Sequence, residues 1–229
     1  MPGISLRSFC KVNLCLEVLG RREDGYHELA TVFQTVSLAD TLTVVPTAGP
    51  DLLRVPRGGA PAGPDNLCLR AVRAYRNQRG WPPGVRLQLD KTVPAGAGLG
   101  GGSSNAAATL RALALLDDQP PSDQALHQIA ATLGADVAFF LTGGTALGTG
   151  RGEKIERLPD LAGLPLVLAR PRLSISTAEA YGMLSPEDFS DGARARAMAQ
   201  AICEGAGIEG IAAHLHNAFT ASLVRRWPE

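Results

Sequence analysis

The stretch Pro94-Ala95-Gly96-Ala97-Gly98-Leu99-Gly100-Gly101-Gly102-Ser103-Ser104-Asn105 constrains this chain more than any other. Upstream of it, Val85, Leu87 and Leu89 alternate with Arg86, Gln88 and Asp90, so residues 85–93 read as a half-buried strand. Downstream, residues 106–116 are rich in Ala and Leu and read as a helix. Glycines between them let the backbone take positive φ and approach a ligand closely, so that successive N–H groups converge on one anion. The helix that follows adds its unpaired N–H groups and the positive end of its dipole. The combination predicts a polyphosphate cradle. Ser103 and Ser104 are placed to cap the helix, to donate to a phosphate oxygen or to reach a bound Mg²⁺. A flexible spacer would explain the glycines alone, but not the strand and helix that bracket them.

Two other phosphate-binding loops fit less well. Gly96-x-Gly98-x-x-Gly101 matches the dinucleotide fingerprint, which needs a second parallel strand after the helix; here Asp117-Asp118-Gln119-Pro120-Pro121 follows, and Pro-Pro cannot enter a central strand. A Walker-type loop needs a Lys after the glycines, and none is present. With 22 Lys+Arg against 22 Asp+Glu the chain has no net charge, which disfavours a general binder of nucleic acid or anionic membrane. No apolar run approaches the ~18 residues of a membrane span, and Met1-Pro2-Gly3-Ile4-Ser5 lacks the pattern of a secretory signal, so a cytoplasmic location is expected. Cys10, Cys15, Cys68 and Cys203 form no C-x-x-C pair and read as isolated thiols.

Further strands are expected at residues 11–18, 31–38, 41–45, 154–158 and 164–169, and helices at 66–78, 123–133, 193–204, 208–214 and 217–226. Residues 46–64, rich in Pro, Gly and Ala, read as a loop or exposed hairpin. Strands and helices without strict βαβ alternation indicate an α+β class, with a soft boundary near Pro159. At 229 residues the chain has room for two modest domains, and about 70% of the surface of a chain this size is buried on folding.

The pattern P-x-G-x-G-L-G-G-G-S-S-N-A at 94–106 resembles the ATP loop of the GHMP kinases. Lys11-Val12-Asn13-Leu14, Asp24-Gly25-Tyr26-His27-Glu28-Leu29 and Leu133-Gly134-Ala135-Asp136-Val137, in this order, narrow the resemblance to the branch serving the non-mevalonate isoprenoid precursor pathway. The resemblance spans residues 8–180. It implies an ATP- and Mg²⁺-dependent kinase acting on the 2-hydroxyl of a small-molecule cytidine-diphospho substrate, 4-diphosphocytidyl-2-C-methyl-D-erythritol. It also implies a two-domain fold: residues 1–158 as an N-terminal ATP-binding domain like domain 2 of ribosomal protein S5, and 159–229 as a ferredoxin-like C-terminal domain. That second domain is expected to be incomplete. His216-Asn217-Ala218-Phe219-Thr220 stands where the family has an Asn-Asp-Leu-Glu-like stretch, and no third glycine-rich segment follows.

Carried over residue by residue, the resemblance makes Lys11 and Asp136 the catalytic pair, Pro94 to Ser104 the ATP loop, and Asn13, Tyr26 and His27 the substrate side. An Asp after a helix-ending glycine and a Lys on a strand are otherwise ordinary cap and edge charges. Asp24-Gly25 is a hairpin signal that would present Tyr26 as a stacking surface for cytosine and His27 to the pyrimidine edge. Tyr181 is either the opposite stacking face or core, and Asn66 either contacts adenine or caps the helix after it. Arg151, Arg170 and Arg172 read as surface charge, with a diphosphate contact left open; His127, His214 and His216 lack metal spacing. Another GHMP kinase, acting on homoserine or a mevalonate-like acid, and a non-catalytic nucleotide-binding relative remain as alternatives.

Overall fold

The structure is a computed structural model and describes residues 2–161, 163–170 and 175–227. Two long strands, β1 (Ile4–Arg21) and β2 (His27–Thr47), form a hairpin through the Asp24-Gly25 turn. They are followed by β3 (Leu52–Arg57), α1 (Leu67–Arg79), β4 (Gly84–Asp90), α2 (Gly101–Leu116), α3 (Asp123–Leu133), α4 (Ala135–Thr142), β5 (Thr145–Gly150) and β6 (Lys154–Leu158). Then come α5 (Thr177–Gly182), α6 (Ala193–Cys203), α7 (Ile208–Ala212), β7 (His216–Asn217) and α8 (Phe219–Arg226). Among the described residues no helix is long and apolar enough to cross a membrane.

The chain divides into two compact units, and β1 and β2 run through both. The first comprises residues 1–11, 36–95 and 99–141. In it β4 pairs antiparallel with β2, from Thr41↔Asp90 to Thr47↔Gly84, and parallel with β3. One face of these strands buries Leu42, Val44, Val85, Leu87 and Leu89 against Cys68, Ala71, Val72 and Tyr75 of α1 and Ala106, Ala107, Leu110 and Leu113 of α2. The small residues of α2 allow close packing, which is why its sequence reads as Ala-rich rather than as a wide apolar stripe.

The second unit comprises residues 12–35, 96–98 and 142–229. There β5 pairs antiparallel with β2, from Leu29↔Gly150 to Gln34↔Thr145, and with β6, while β7 adds in parallel to β1 at Cys15↔His216. Leu14, Cys15, Ala30 and Val32 pack against Ala195, Met198, Ala199 and Ile202 of α6. That helix starts at an αL glycine, Gly192, without a side-chain cap of its own. Glu17, only 1% exposed, supplies the acceptors from β1: Ser190 Oγ donates to its Oε1 at 2.8 Å and the Ala195 N–H to its Oε2 at 2.7 Å. Burial pushes the Cys15 thiol up to about 12 and Cys68 to about 11, so both behave as inert core thiols at neutral pH.

Several sequence expectations are revised. Residues 31–38 and 41–45 belong to one continuous strand, β2. Within 46–64 lies a true strand, β3, held by parallel pairing to β4. Residues 164–169 are not a strand: Val167 is 96% exposed and no described strand runs beside the segment to take its N–H and C=O groups. The α2 helix begins at Gly101 rather than residue 106, because the last two glycines of the loop are helical.

Glu17→Ala leaves the start of α6 without a buried acceptor. It should lower stability by about 1–3 kcal/mol, read as a lower urea midpoint with an unchanged slope.

Candidate active site

The glycine-rich segment is built from alternating left-handed glycines. Gly96, Gly98 and Gly100 have φ of 66°, 71° and 67°. Gly100 is required on two counts: it is the αL N-cap of α2, and a Cβ there would lie 2.8 Å from the Phe140 ring and 3.3 Å from Lys11 Cε. The first helical bond of α2 runs from the Ser104 N–H to the Gly100 carbonyl at 2.8 Å, so the N–H groups of Gly101, Gly102 and Ser103 lie ahead of the ladder. No side chain caps this end and no acidic residue sits in its first turn. The positive end of the helix dipole therefore has no acidic residue of its own first turn beside it.

Beneath this end lies a buried polar network that the sequence did not reveal. Lys91 Nζ is 2.5 Å from Asp40 Oδ2 and 3.2 Å from Asn105 Oδ1, with side-chain exposures of 4% for Lys91 and 0% for Asp40. Asp40 Oδ1 accepts the N–H groups of Thr92 and Val93 at 2.7 and 2.8 Å, which tethers the chain as it enters the loop. Asn105 Nδ2 donates to Asp40 Oδ2 and Ser8 Oγ, and Ser8 Oγ donates to Ser104 Oγ. The Ser104 hydroxyl donates in turn to the Phe9 carbonyl at 2.5 Å. Its proton is directed to the core, whereas Ser103 is half-buried at the helix start. Asp40 and Lys91 sit in runs of ordinary strand polarity; only the fold brings them together.

Lys11 and Asp136 meet. Lys11 Nζ is 3.6 Å from Asp136 Oδ2, the lysine side chain 8% exposed and the carboxylate 34%. The Lys11 N–H donates to the Leu99 carbonyl at 3.1 Å, which registers β1 against the loop. Asp136 lies in the first turn of α4 rather than at its cap, so its carboxylate is held by a helix that Val137, Phe139 and Leu141 anchor in the core. Asn66 is the N-cap of α1: its Oδ1 accepts the Cys68 N–H at 2.9 Å and its Nδ2 donates to the Pro61 carbonyl at 2.6 Å. One amide proton and one lone pair remain for another partner.

The expected substrate residues all lie in the second unit. Asn13 Nδ2 donates to Thr31 Oγ1 at 2.7 Å, and that hydroxyl donates to the Cys15 carbonyl. The turn before β2 is closed by the Arg22 N–H to the Tyr26 carbonyl and by the Tyr26 N–H to Asp24 Oδ1, with Gly25 at φ 84°. It leaves Tyr26 58% exposed. His27 stacks on Tyr181 with centroids 4.8 Å apart and 26° between planes, and Tyr181 meets Phe219 edge-on at 5.0 Å. Tyr181 therefore faces His27, and it packs on the small cluster of Val18, Leu29, Ala218 and Phe219. Desolvation and the neighbouring Arg21 pull His27 below its ordinary value, so it is neutral at neutral pH. Arg151, read from sequence as surface charge, lies over the Tyr26 ring; Arg172 is outside the described residues.

With this geometry in hand, similarity to known proteins becomes interpretable. The model of the GHMP kinases N terminal domain matches residues 66–144, which include the loop and Asp136. The 4-diphosphocytidyl-2-C-methyl-D-erythritol kinase of Pelotomaculum thermopropionicum is 44% identical over 220 residues, 96% of this chain and 76% of the relative. This chain belongs to the 4-diphosphocytidyl-2-C-methyl-D-erythritol kinase family. The same-named protein of Moorella thermoacetica is 42% identical across 100% of this chain and 81% of its own length. A crystal structure of 4-(cytidine 5'-diphospho)-2C-methyl-D-erythritol kinase superposes with a TM-score of 0.76 at 38% identity, covering 98% of this chain and 79% of that one. The α+β fold is that of the GHMP kinases, which are ATP-dependent small-molecule kinases.

The steric demand at Gly100 gives a direct test. Gly100→Ala and Gly96→Ala both add left-handed strain of about 1–2 kcal/mol, but only at Gly100 does a Cβ also clash with Phe140, since at Gly96 it meets nothing within 4 Å. Thermal denaturation should therefore rank Gly100→Ala clearly below Gly96→Ala, and only the former should also displace Lys11 and depress turnover.

Proposed function

We propose that this chain transfers the γ-phosphoryl group of ATP to the 2-hydroxyl of 4-diphosphocytidyl-2-C-methyl-D-erythritol, in the cytoplasm, with neither nucleic acid nor membrane as a partner. The observation that carries the reading is the Lys11–Asp136 pair at 3.6 Å, with the Lys11 side chain against Gly100 at the start of α2. Residues 1–158 would serve nucleotide and catalysis, and 159–229 would belong to an incomplete C-terminal domain.

Phosphoryl transfer asks for alignment and charge stabilisation more than for covalent chemistry. Pro94 to Ser104 would hold the ATP tail, with the N–H groups of Gly101, Gly102 and Ser103 directed at phosphate oxygens and Asn66 offering its remaining amide proton to adenine. The substrate 2-hydroxyl oxygen attacks the γ-phosphorus and its proton passes to an Asp136 carboxylate oxygen. The bond from the γ-phosphorus to the bridging oxygen breaks, and ADP departs with that electron pair. Lys11 orients the hydroxyl and offsets the charge that builds on the transferring oxygens. Among the described residues no three His, Cys, Asp or Glu side chains converge as a metal site. Mg²⁺ would arrive with ATP, and the Ser103 hydroxyl would be the protein group that holds it. Bound there, the ion would neutralise charge on the phosphates. On the substrate side, Tyr26 would stack on cytosine, neutral His27 would meet the pyrimidine edge on the support of Tyr181, and Asn13 would bind the sugar alcohol.

The test is coupled ADP release with the cytidine-diphospho substrate, mevalonate and homoserine in parallel. Activity confined to the first supports the proposal. Activity on either of the others would assign a different GHMP kinase, and ATP binding without ADP release would indicate a non-catalytic relative. Asp136→Asn should lower kcat by ~10²–10⁴, the usual worth of a positioned base, with the KM for ATP nearly unchanged. Tyr26→Ala should raise the KM for the cytidine substrate by about tenfold or more, since base–aromatic stacking is worth ~1–3 kcal/mol, and should spare the KM for ATP; equal effects on both would contradict the stacking role.

A further inference from the structure

Tyr26 does not stand alone. The Arg151 guanidinium carbon lies 4.9 Å from the Tyr26 ring centroid, within cation–π distance. The strand register explains why: Leu29 of β2 pairs with Gly150 of β5, so the turn entering β2 and the turn leaving β5 lie side by side. The second turn is built to hold Arg151 in place. Gly150 and Gly152 take φ of 72° and 100°, and the Arg151 N–H donates to Glu153 Oε2 at 2.6 Å.

The guanidinium itself is less committed than its backbone. A guanidinium carries five N–H donors in a planar fork suited to carboxylate and phosphate oxygens. Its salt-bridge partner among the described residues is Glu153, whose Oε1 lies 3.9 Å from Arg151 Nε, beyond hydrogen-bond distance, and the Asp24 carboxylate in the facing turn also feels its charge. None of the five donors makes a hydrogen bond among the described residues, and the side chain remains 34% exposed. So loose a surface pair is easily displaced by a doubly charged anion. An aromatic ring has two faces; Arg151 takes one, leaving the other for a base.

We propose that Arg151 is a specificity residue of the cytidine site, covering one face of Tyr26 while its guanidinium fork binds the diphosphate attached to a nucleoside stacked on the other. The inference rests on the cytidine-site reading of Tyr26 and adds to it a reader of charge: Tyr26 recognises that a base is present, and Arg151 that it carries phosphates.

Isothermal titration with cytidine and with cytidine 5'-diphosphate separates the two roles. Arg151→Gln should weaken binding of the diphosphate by about tenfold, the scale of a charge-assisted hydrogen bond in a partly solvated site. It should leave cytidine within about twofold and the KM for ATP unaltered, and Arg151→Lys should recover part of the loss by restoring charge without the fork. Equal weakening of both probes would mean that Arg151 merely supports the Tyr26 ring, and unchanged binding of both would remove it from the site; either result overturns the proposal. Wild-type protein that binds neither probe would overturn the cytidine reading itself, and the role of Arg151 with it.

Discussion

The carboxylate of Asp40, wholly buried, is the fixed point on which the glycine-rich loop depends. It binds Lys91 and Asn105 through one oxygen and the N–H groups of Thr92 and Val93 through the other, so the chain entering the loop and the first turns of α2 are tied to a single group in β2. A buried ion pair need not add net stability, but removing one partner strands the other charge and costs about 3–5 kcal/mol. The pair therefore specifies geometry. A loop with so many glycines has large conformational freedom in the unfolded chain, and only a rigid anchor at each end makes its folded path single-valued.

From that anchor the geometry of the Lys11–Asp136 pair follows by contact. Lys11 is registered by its own N–H on the Leu99 carbonyl, and its side chain passes Gly100, where a methyl group would leave no room. Phe140 presses on the same glycine from α4, the helix that carries Asp136. Loop, lysine and carboxylate are thus mutually positioned by packing at one residue without a side chain. Placing functional groups on a strand and a helix, with the glycines between them, gives a site more precise than a loop alone would provide.

Much of this was legible in local pattern. The strand at β4, α3 from Asp123 to Leu133 and β6 from Lys154 to Leu158 follow from periodicity and caps, with Ser122 capping α3 as its residue type suggests. Other elements were not legible, for reasons that can be named. β3 lies in a Pro- and Gly-rich stretch and exists because β4 pairs with it; residues 164–169 have strand composition but no neighbour to complete their hydrogen bonds. The helical state of Gly101 and Gly102 contradicts glycine's propensity and is imposed by the packing of the helix they begin.

What the sequence determined by itself was the family: the glycine run before a helix, with the motifs around Lys11, Asp24 and Asp136, marks the chain as a relative of the 4-diphosphocytidyl-2-C-methyl-D-erythritol kinases because those residue types in that order are local information. What only the tertiary structure decided was adjacency. It directed the Ser104 hydroxyl inward to Phe9, turned Tyr181 onto His27 and set Arg151 over Tyr26. Each of these depends on which strands pair and in what register, and register is fixed by long-range burial of one face of a sheet rather than by any local run of residues.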